Sequence, residues 1–329
     1  MRTNLKFFKK KKTLSVDNFF QNVLYDKKFG YYSTKLPFGG GGDFITAPKI
    51  SNLFSEIIAI WMVSTWEVFG KPKNFNIVEL GPGDGSLTKT LISSFKRFPS
   101  FNSAKRIYLY EKSSLLKNLQ KKNISDIKIK WVTSFTKIRK GPVIFFGNEF
   151  FDAIPIKQFK NKKNFLFEKY FILNKKNKIK VFYKKALKKD ILAIKSYKTL
   201  KNLKFIEYPK FGFKELKKIT TKILLEKGCL LLIDYGYLKS QNKNTLQSVI
   251  KHKKNNILNN LGKADITSHV NFELLSEFFI KNKLKLKKIV SQQRFLKNMG
   301  ILERAKLICN KKKFTEQSNI HLRLKRLLS

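Results

Sequence analysis

Short apolar runs that end in glycine or an acid alternate, through most of this chain, with stretches whose apolar residues recur every three or four positions. That alternation predicts parallel strands joined by helices, the α/β class. Ile77, Val78 and Leu80 form the first run, broken by Gly81, Gly83 and Gly85. Leu87, Leu91, Ile92 and Phe95 then share one helical face, with Ser86 placed to cap it. Residues 107–110 read as a second strand ending at Glu111, and 114–122 as a helix. Residues 127–132 give a third strand, 143–146 a fourth leading into Gly147, Asn148 and Glu149, and 229–233 a fifth ending at Asp234. Residues 284–290 are expected as a sixth.

The flanks read differently. Residues 14–26 and 51–69 have helical spacing, the first capped by Ser15, the second amphipathic through Phe54, Ile57, Ile58, Trp61 and Trp66. Between them, four glycines (39–42) precede Asp43 in a loop unsuited to core packing. From 155 to 183, short aromatic runs separated by lysine and asparagine predict a β-meander. It reads as an insertion that continues through a helical stretch to 207–209. A helix is expected over 213–226, another opening within 263–272, and two more at the end. Four segments follow: 1–70, 71–154, 155–210 and 211–329.

Composition narrows the picture. The apolar fraction of 42% supports a core, and no apolar run is long enough to span a bilayer. The basic N-terminus lacks the apolar region of a secretory signal. Two cysteines, Cys229 and Cys309, form neither a disulfide framework nor a metal-binding pair, so no metal is expected. The charge is extreme, with 70 Lys and Arg against 22 Asp and Glu. A basic chain invites a nucleic-acid reading. Its lysines, however, are scattered through every segment, as compositional drift in an A/T-rich genome would leave them on a solvated surface. Acids are scarce, which makes their positions informative.

Four of the predicted strands carry or lead into an acid at the same edge: Glu79, Glu111, Glu149 and Asp234. Open α/β sheets bind ligands outside the carboxyl ends of their strands, so these acids should line one cleft suited to a cationic ligand. The turn reads G-x-G-x-G, one residue shorter than the dinucleotide fingerprint, which disfavours an NAD-dependent dehydrogenase. With Glu79 ahead of it, the turn resembles motif I of the class I S-adenosylmethionine (SAM) methyltransferases. SAM carries a sulfonium and an ammonium, and no phosphate that acids would repel. Gly81, Gly83 and Gly85 then admit the cofactor, Glu79 orients its amino group or braces the loop, and Glu111 accepts the ribose hydroxyls.

Five motifs in order, G-G-D-F-I-T-A-P (41–48), V-E-L-G-P-G-D-G-S-L (78–87), N-E-F-F-D-A-I-P-I-K-Q-F (148–159), L-I-D-Y-G (232–236) and A-D-I-T-S-H-V-N-F (264–272), resemble the MidA family over residues 15–310. Its mitochondrial member is a complex I assembly factor and protein-arginine methyltransferase. The resemblance implies a Rossmann-like class I methyltransferase sheet with N-terminal helices and an inserted β-meander and helical lobe. Asp84 stands where the family more often has Arg, and the chain stops where the family's last sheet strand would follow. The activity implied is symmetric dimethylation of an arginine on a respiratory complex I subunit or assembly partner.

On that analogy Asn148, Glu149 and Asp152 face the substrate. A carboxylate on the guanidinium N–H groups would localise its charge away from the attacking nitrogen and orient that nitrogen toward the methyl group. Glu149 is the first candidate and Asp152 the second. Asp43 either closes over the site or caps a turn, Asp234 either faces the substrate or forms a turn, and His269 is either substrate-side or structural. The partner expected is a protein presenting an arginine, without specific nucleic-acid binding or membrane insertion; a homodimer is left open. The expected location is the bacterial cytoplasm, or the mitochondrial matrix in a eukaryote. Two rival readings are an RNA methyltransferase, favoured by charge, and a non-catalytic assembly factor that retains the fold.

Overall fold

A computed structural model describes residues 5–9, 11–37, 47–124, 128–163, 165–310 and 312–329. The N-terminal part contributes α1 (Leu5–Phe8), β1 (Thr13–Ser15), α2 (Val16–Tyr25), α3 (Tyr31–Thr34), α4 (Ala47–Ile50) and α5 (Asn52–Val68). The alternating core follows as β2 (Phe75–Leu80), α6 (Ser86–Phe95), α7 (Pro99–Ala104), β3 (Lys105–Tyr110), α8 (Ser114–Asn123), β4 (Lys130–Val132) and β5 (Val143–Asn148). An insertion holds β6 (Lys157–Lys162), β7 (Phe165–Leu173), β8 (Ile179–Lys185), α9 (Lys188–Lys195) and β9 (Phe205–Tyr208). The core resumes with α10 (Lys210–Glu226) and β10 (Cys229–Ile233). Short strands β11 (Gly236–Tyr237), β12 (Gln247–Ile250), β13 (Lys253–Asn255), β14 (Asp265–Thr267) and β15 (Val270–Asn271) come next. Helices α11 (Phe272–Lys281), α12 (Gln292–Asn298), α13 (Ile301–Cys309) and α14 (Phe314–Leu328) complete the described chain.

The central sheet is parallel, in the order β10-β5-β2-β3-β4. From β2 the chain winds outward through β3 and β4, then returns to pair β5 on the other side of β2. The strand order therefore reverses between β2 and β5, where a doubly wound sheet opens a crevice at its carboxyl edge. All six residues of β2 are buried, because helices cover both faces. One face packs on α5, α6 and α12–α14 through residues such as Phe54, Phe95 and Leu296; the other packs on α10 and α11 through Phe213 and Phe278.

The meander forms a second, antiparallel sheet, β1-β7-β6-β9 with β8 on β7. Its outer member is the N-terminal β1, paired Leu14 to Phe171. Sequence periodicity read residues 14 and 15 as the start of a helix; a three-residue strand offers too little alternation to compete with the helical pattern behind it. Ser15 does occupy the cap position of α2, but its hydroxyl bonds the Asp17 and Asn18 side chains rather than a backbone N–H.

Other expectations are corrected as well. Residues 284–290 are not a strand: Leu286 and Ile289 are exposed, and among the described residues nothing pairs with the outer edge of β10. Ser86 is the first residue of α6, not its cap; Gly85 holds the cap position, and the Asp84 carboxylate accepts from Ser86 N–H at 3.1 Å. The helix expected to open within 263–272 starts only at Phe272, capped by Asn271, because 265–267 and 270–271 pair as strands. Three terminal helices replace two, and the third parallel strand is only Lys130–Val132.

Candidate cofactor and acceptor site

At the switch point a cavity, open to solvent at its mouth, is lined by Glu79, the turn Gly81–Asp84, Ser86, Leu87, Asn148, Glu149 and Asp152. Tyr32, Pro48, Asp265 and Thr267 complete the wall. The turn takes this shape because Gly81, Gly83 and Gly85 all have positive φ, at +63°, +56° and +83°, a region that a residue with a Cβ enters only at a cost. A Cβ on Gly81 would lie 2.7 Å from the Phe150 ring, and one on Gly85 2.7 Å from Ile124 Cδ1. The resulting cradle is bare backbone, as a close-fitting cofactor requires.

Five of the chain's 22 acids (Glu79, Asp84, Glu149, Asp152 and Asp265) line this one cavity. Glu79 is buried, accepts a hydrogen bond from the Thr88 hydroxyl, and is pushed by burial up to about 8. Glu149 follows β5 with φ +50°, a left-handed conformation rare outside glycine. Its N–H donates to Ile233 O at 2.8 Å, and its carboxylate accepts from Ala47 N–H. Burial and then the neighbouring Asp234 raise it to about 7. Asp152 is raised well above the usual carboxylate range by burial and by Asp234, Asp265 and Glu149. Charged groups this close resist joint ionisation, so a cation entering among them stabilises the carboxylate forms. Asn148, a residue of the cavity wall, has its Oδ1 buried without a hydrogen bond.

Asp234, Glu111 and His269 sit off the cavity wall. Asp234 Oδ2 accepts from Phe151 N–H at 2.7 Å and Asp152 N–H at 3.2 Å, and Oδ1 from Tyr235 N–H at 2.9 Å. It holds the turn that presents Asp152, and burial raises it to about 6. Glu111 accepts from Ser113 N–H (2.7 Å) and from Gln120 Nε2 (3.0 Å); Gln120 Nε2 also donates to Gly83 O (2.8 Å), so Glu111 is linked to the glycine turn at one remove. His269 is exposed and lies beside Phe151, Glu207 and Tyr237 in a separate depression, away from the acids. Asp43 lies outside the described residues.

Sequence reasoning missed Asp265, Thr267 and Tyr32. Asp265 and Thr267 are two apart on β14 and share its cavity side, while Ile266 between them points into the N-terminal core. The D-I-T alternation carried that signal, hidden by the helix expected there. Tyr32 donates its hydroxyl to Asp265 Oδ2 (3.1 Å), and Tyr25, stacked on Tyr32, donates to Ala153 O (2.8 Å). The N-terminal helices thus close one side of the site. Among the described residues no group of His, Cys, Asp and Glu is arranged to hold a metal ion.

Known proteins resemble this chain throughout. A family model described as "Putative S-adenosyl-L-methionine-dependent methyltransferase" matches residues 57–290. The mitochondrial protein arginine methyltransferase NDUFAF7 of Xenopus tropicalis is 27% identical over 92% of this chain and 76% of its own length. The Danio rerio protein of the same name is 32% identical, over 46% of this chain and only 41% of its own length. A COG1565 superfamily member from Burkholderia thailandensis, crystallised with S-adenosyl-homocysteine, superposes with a TM-score of 0.80 at 19% identity, covering 99% of this chain and 86% of that one. The glycine cradle and its carboxylates fit such a cofactor. The chain belongs to this S-adenosyl-L-methionine-dependent methyltransferase family, and SAM is its cofactor.

Proposed function

We propose that the acceptor is an arginine of a protein, held by Glu149 with Asp152 beside it, while Gly81, Gly83, Gly85, Glu79 and Glu111 bind SAM. The observation that carries this reading is the gathering of five carboxylates on one cavity wall in a chain of net charge +48. SAM supplies the electrophilic methyl group. A guanidinium stays protonated at any physiological pH, and its nitrogens are poor nucleophiles because their lone pairs are delocalised. Glu149, bonded to the guanidinium N–H groups, draws positive charge away from the attacking nitrogen and fixes its approach. As the nitrogen takes the methyl group, the sulfur–methyl bond would break to release S-adenosyl-homocysteine and the nitrogen's proton would pass to Glu149 and on to solvent, so the carboxylate need not act as a strong base. Asn148 Oδ1 supplies a further acceptor for an N–H group. Asp234 acts through the turn it holds; Asp43 and His269 are assigned only to the substrate side.

The relatives named protein arginine methyltransferase support the acceptor class. The finer reading, symmetric dimethylation of a respiratory complex I subunit or assembly partner, rests on the motif resemblance alone. The test is incubation of the protein with methyl-labelled SAM and extract of its own cells, followed by mass spectrometry. Label on a protein arginine is the expected outcome. Label confined to RNA would overturn the reading, and so would no label from a preparation that binds SAM.

A further inference from the structure

Asp84, on the cavity wall, is paired with a cation. Its Oδ2 lies 2.5 Å from Lys49 Nζ, with the two side chains 13% and 24% exposed. Oδ1 accepts from Ser86 N–H at 3.1 Å, and Asp84 O accepts from Asn123 Nδ2 at 2.9 Å. Burial alone would raise this carboxyl, but the bonds from Lys49 and Ser86 outweigh it and hold the group below the usual range. Asp84 is therefore a fixed carboxylate at the centre of the cofactor turn, unlike Glu79, Glu149 and Asp152.

Lys49 belongs to α4, a single helical turn whose Ala47 and Ile50 pack into the core beside α5 and α14. Ala47 at one end of it bonds the Glu149 carboxylate, Pro48 lines the cavity, and Lys49 reaches Asp84. Four residues thus span the crevice from the acid after β5 to the glycine turn after β2.

We infer that the Lys49–Asp84 pair is a clasp that sets the glycine turn in its cofactor-binding geometry, making Lys49 a positioning residue for SAM. The inference needs only the cofactor and stands whether or not the acceptor is an arginine. Without Lys49, Asp84 is a half-enclosed anion beside four other acids and swings toward solvent, taking Ser86 N–H and the first turn of α6 with it. Without Asp84, α4 loses its hold on the turn.

Calorimetric titration with S-adenosyl-homocysteine tests this without any turnover. Lys49→Met and Asp84→Asn should each weaken binding by roughly tenfold, the loss of one charge-assisted bond. The double variant should bind about as weakly as either single one, because both remove the same interaction. Lys49→Arg should stay within about twofold of the parent. Thermal melts establish that each variant is folded, and Lys49→Gln replaces Lys49→Met in the cycle should the latter not fold. Single variants that bind as the parent does would overturn the inference. So would strictly additive losses in the double variant, which would mean that the two residues act separately. Failure of the arginine reading would leave all these affinities unchanged.

Discussion

Glu149 and Glu79 determine how this protein responds to pH. Their carboxyls are raised to about 7 and about 8, whereas the unfolded chain ionises them near the ordinary 4.5. Between those values the native state binds more protons than the unfolded one, so stability of the cofactor-free protein falls as pH rises from about 4.5 and levels off near 8. Chemical denaturation across that range measures it. A cationic ligand favours the ionised forms, so SAM affinity should rise with pH from about 6 to 8 and binding should release protons, seen as a buffer-dependent enthalpy in calorimetry. Flat affinity over that range would separate these carboxyls from the cofactor. Glu149→Gln should still bind SAM, with the pH dependence of affinity narrowed to the Glu79 titration, yet lower turnover by about two orders of magnitude, the scale of losing one charge-assisted contact to the reacting group. Gly83→Val should abolish SAM binding in a folded protein, because φ +56° is strained for any side chain and most of all for a β-branched one. These residues were legible in the sequence because strand ends and glycine turns leave local signatures. Asp265 was not. It reaches the cavity through the pairing of β14 with β12, and nothing adjacent in sequence announces that pairing.

At the level of elements, the turn after β5 is the part most dependent on a single side chain. Asp234, at the end of β10, collects three backbone N–H groups and holds Phe151 and Asp152 in place. Asp234→Ala leaves those donors without their acceptor and should cost about 3 kcal/mol or more in a denaturant titration. Asp234→Asn keeps one acceptor oxygen and should lose less. A change below about 1 kcal/mol in the Ala variant would place the turn's support elsewhere. The parallel strands and long helices were readable because each buries a continuous apolar run or stripe. The short pairings β1 with β7, β12 with β14 and β11 with β15 were not. They hold two or three residues each, too few for a period to register, and are stabilised by the surfaces they dock on.

The whole molecule carries a surplus of 48 positive charges, yet gathers five of its 22 acids in one crevice. Self-repulsion of the lysines should make stability rise with ionic strength: moving from about 10 mM to about 150 mM NaCl shortens the screening length from roughly 30 to 8 Å and should raise the melting temperature. Over the same salt range, any affinity for RNA resting on lysine–phosphate contacts should fall steeply, by nearly one log unit per log of salt for each phosphate neutralised. RNA binding that persisted at high salt would revive the nucleic-acid reading. No described helix is long and apolar enough to cross a membrane.

Periodicity, glycine spacing and the placement of scarce acids were enough to predict the α/β class, a glycine turn after β2 and acids gathered at one sheet edge, because each is a local pattern imposed by the geometry of one strand, turn or helix. Only tertiary structure decided which acids meet. Folding turns Asp234 from a strand-end candidate into a backbone clamp, sets His269 apart from the carboxylates, and brings Asp265 and Tyr32 to the wall from opposite ends of the chain. Such meetings depend on long-range pairing, which no single stretch of sequence encodes.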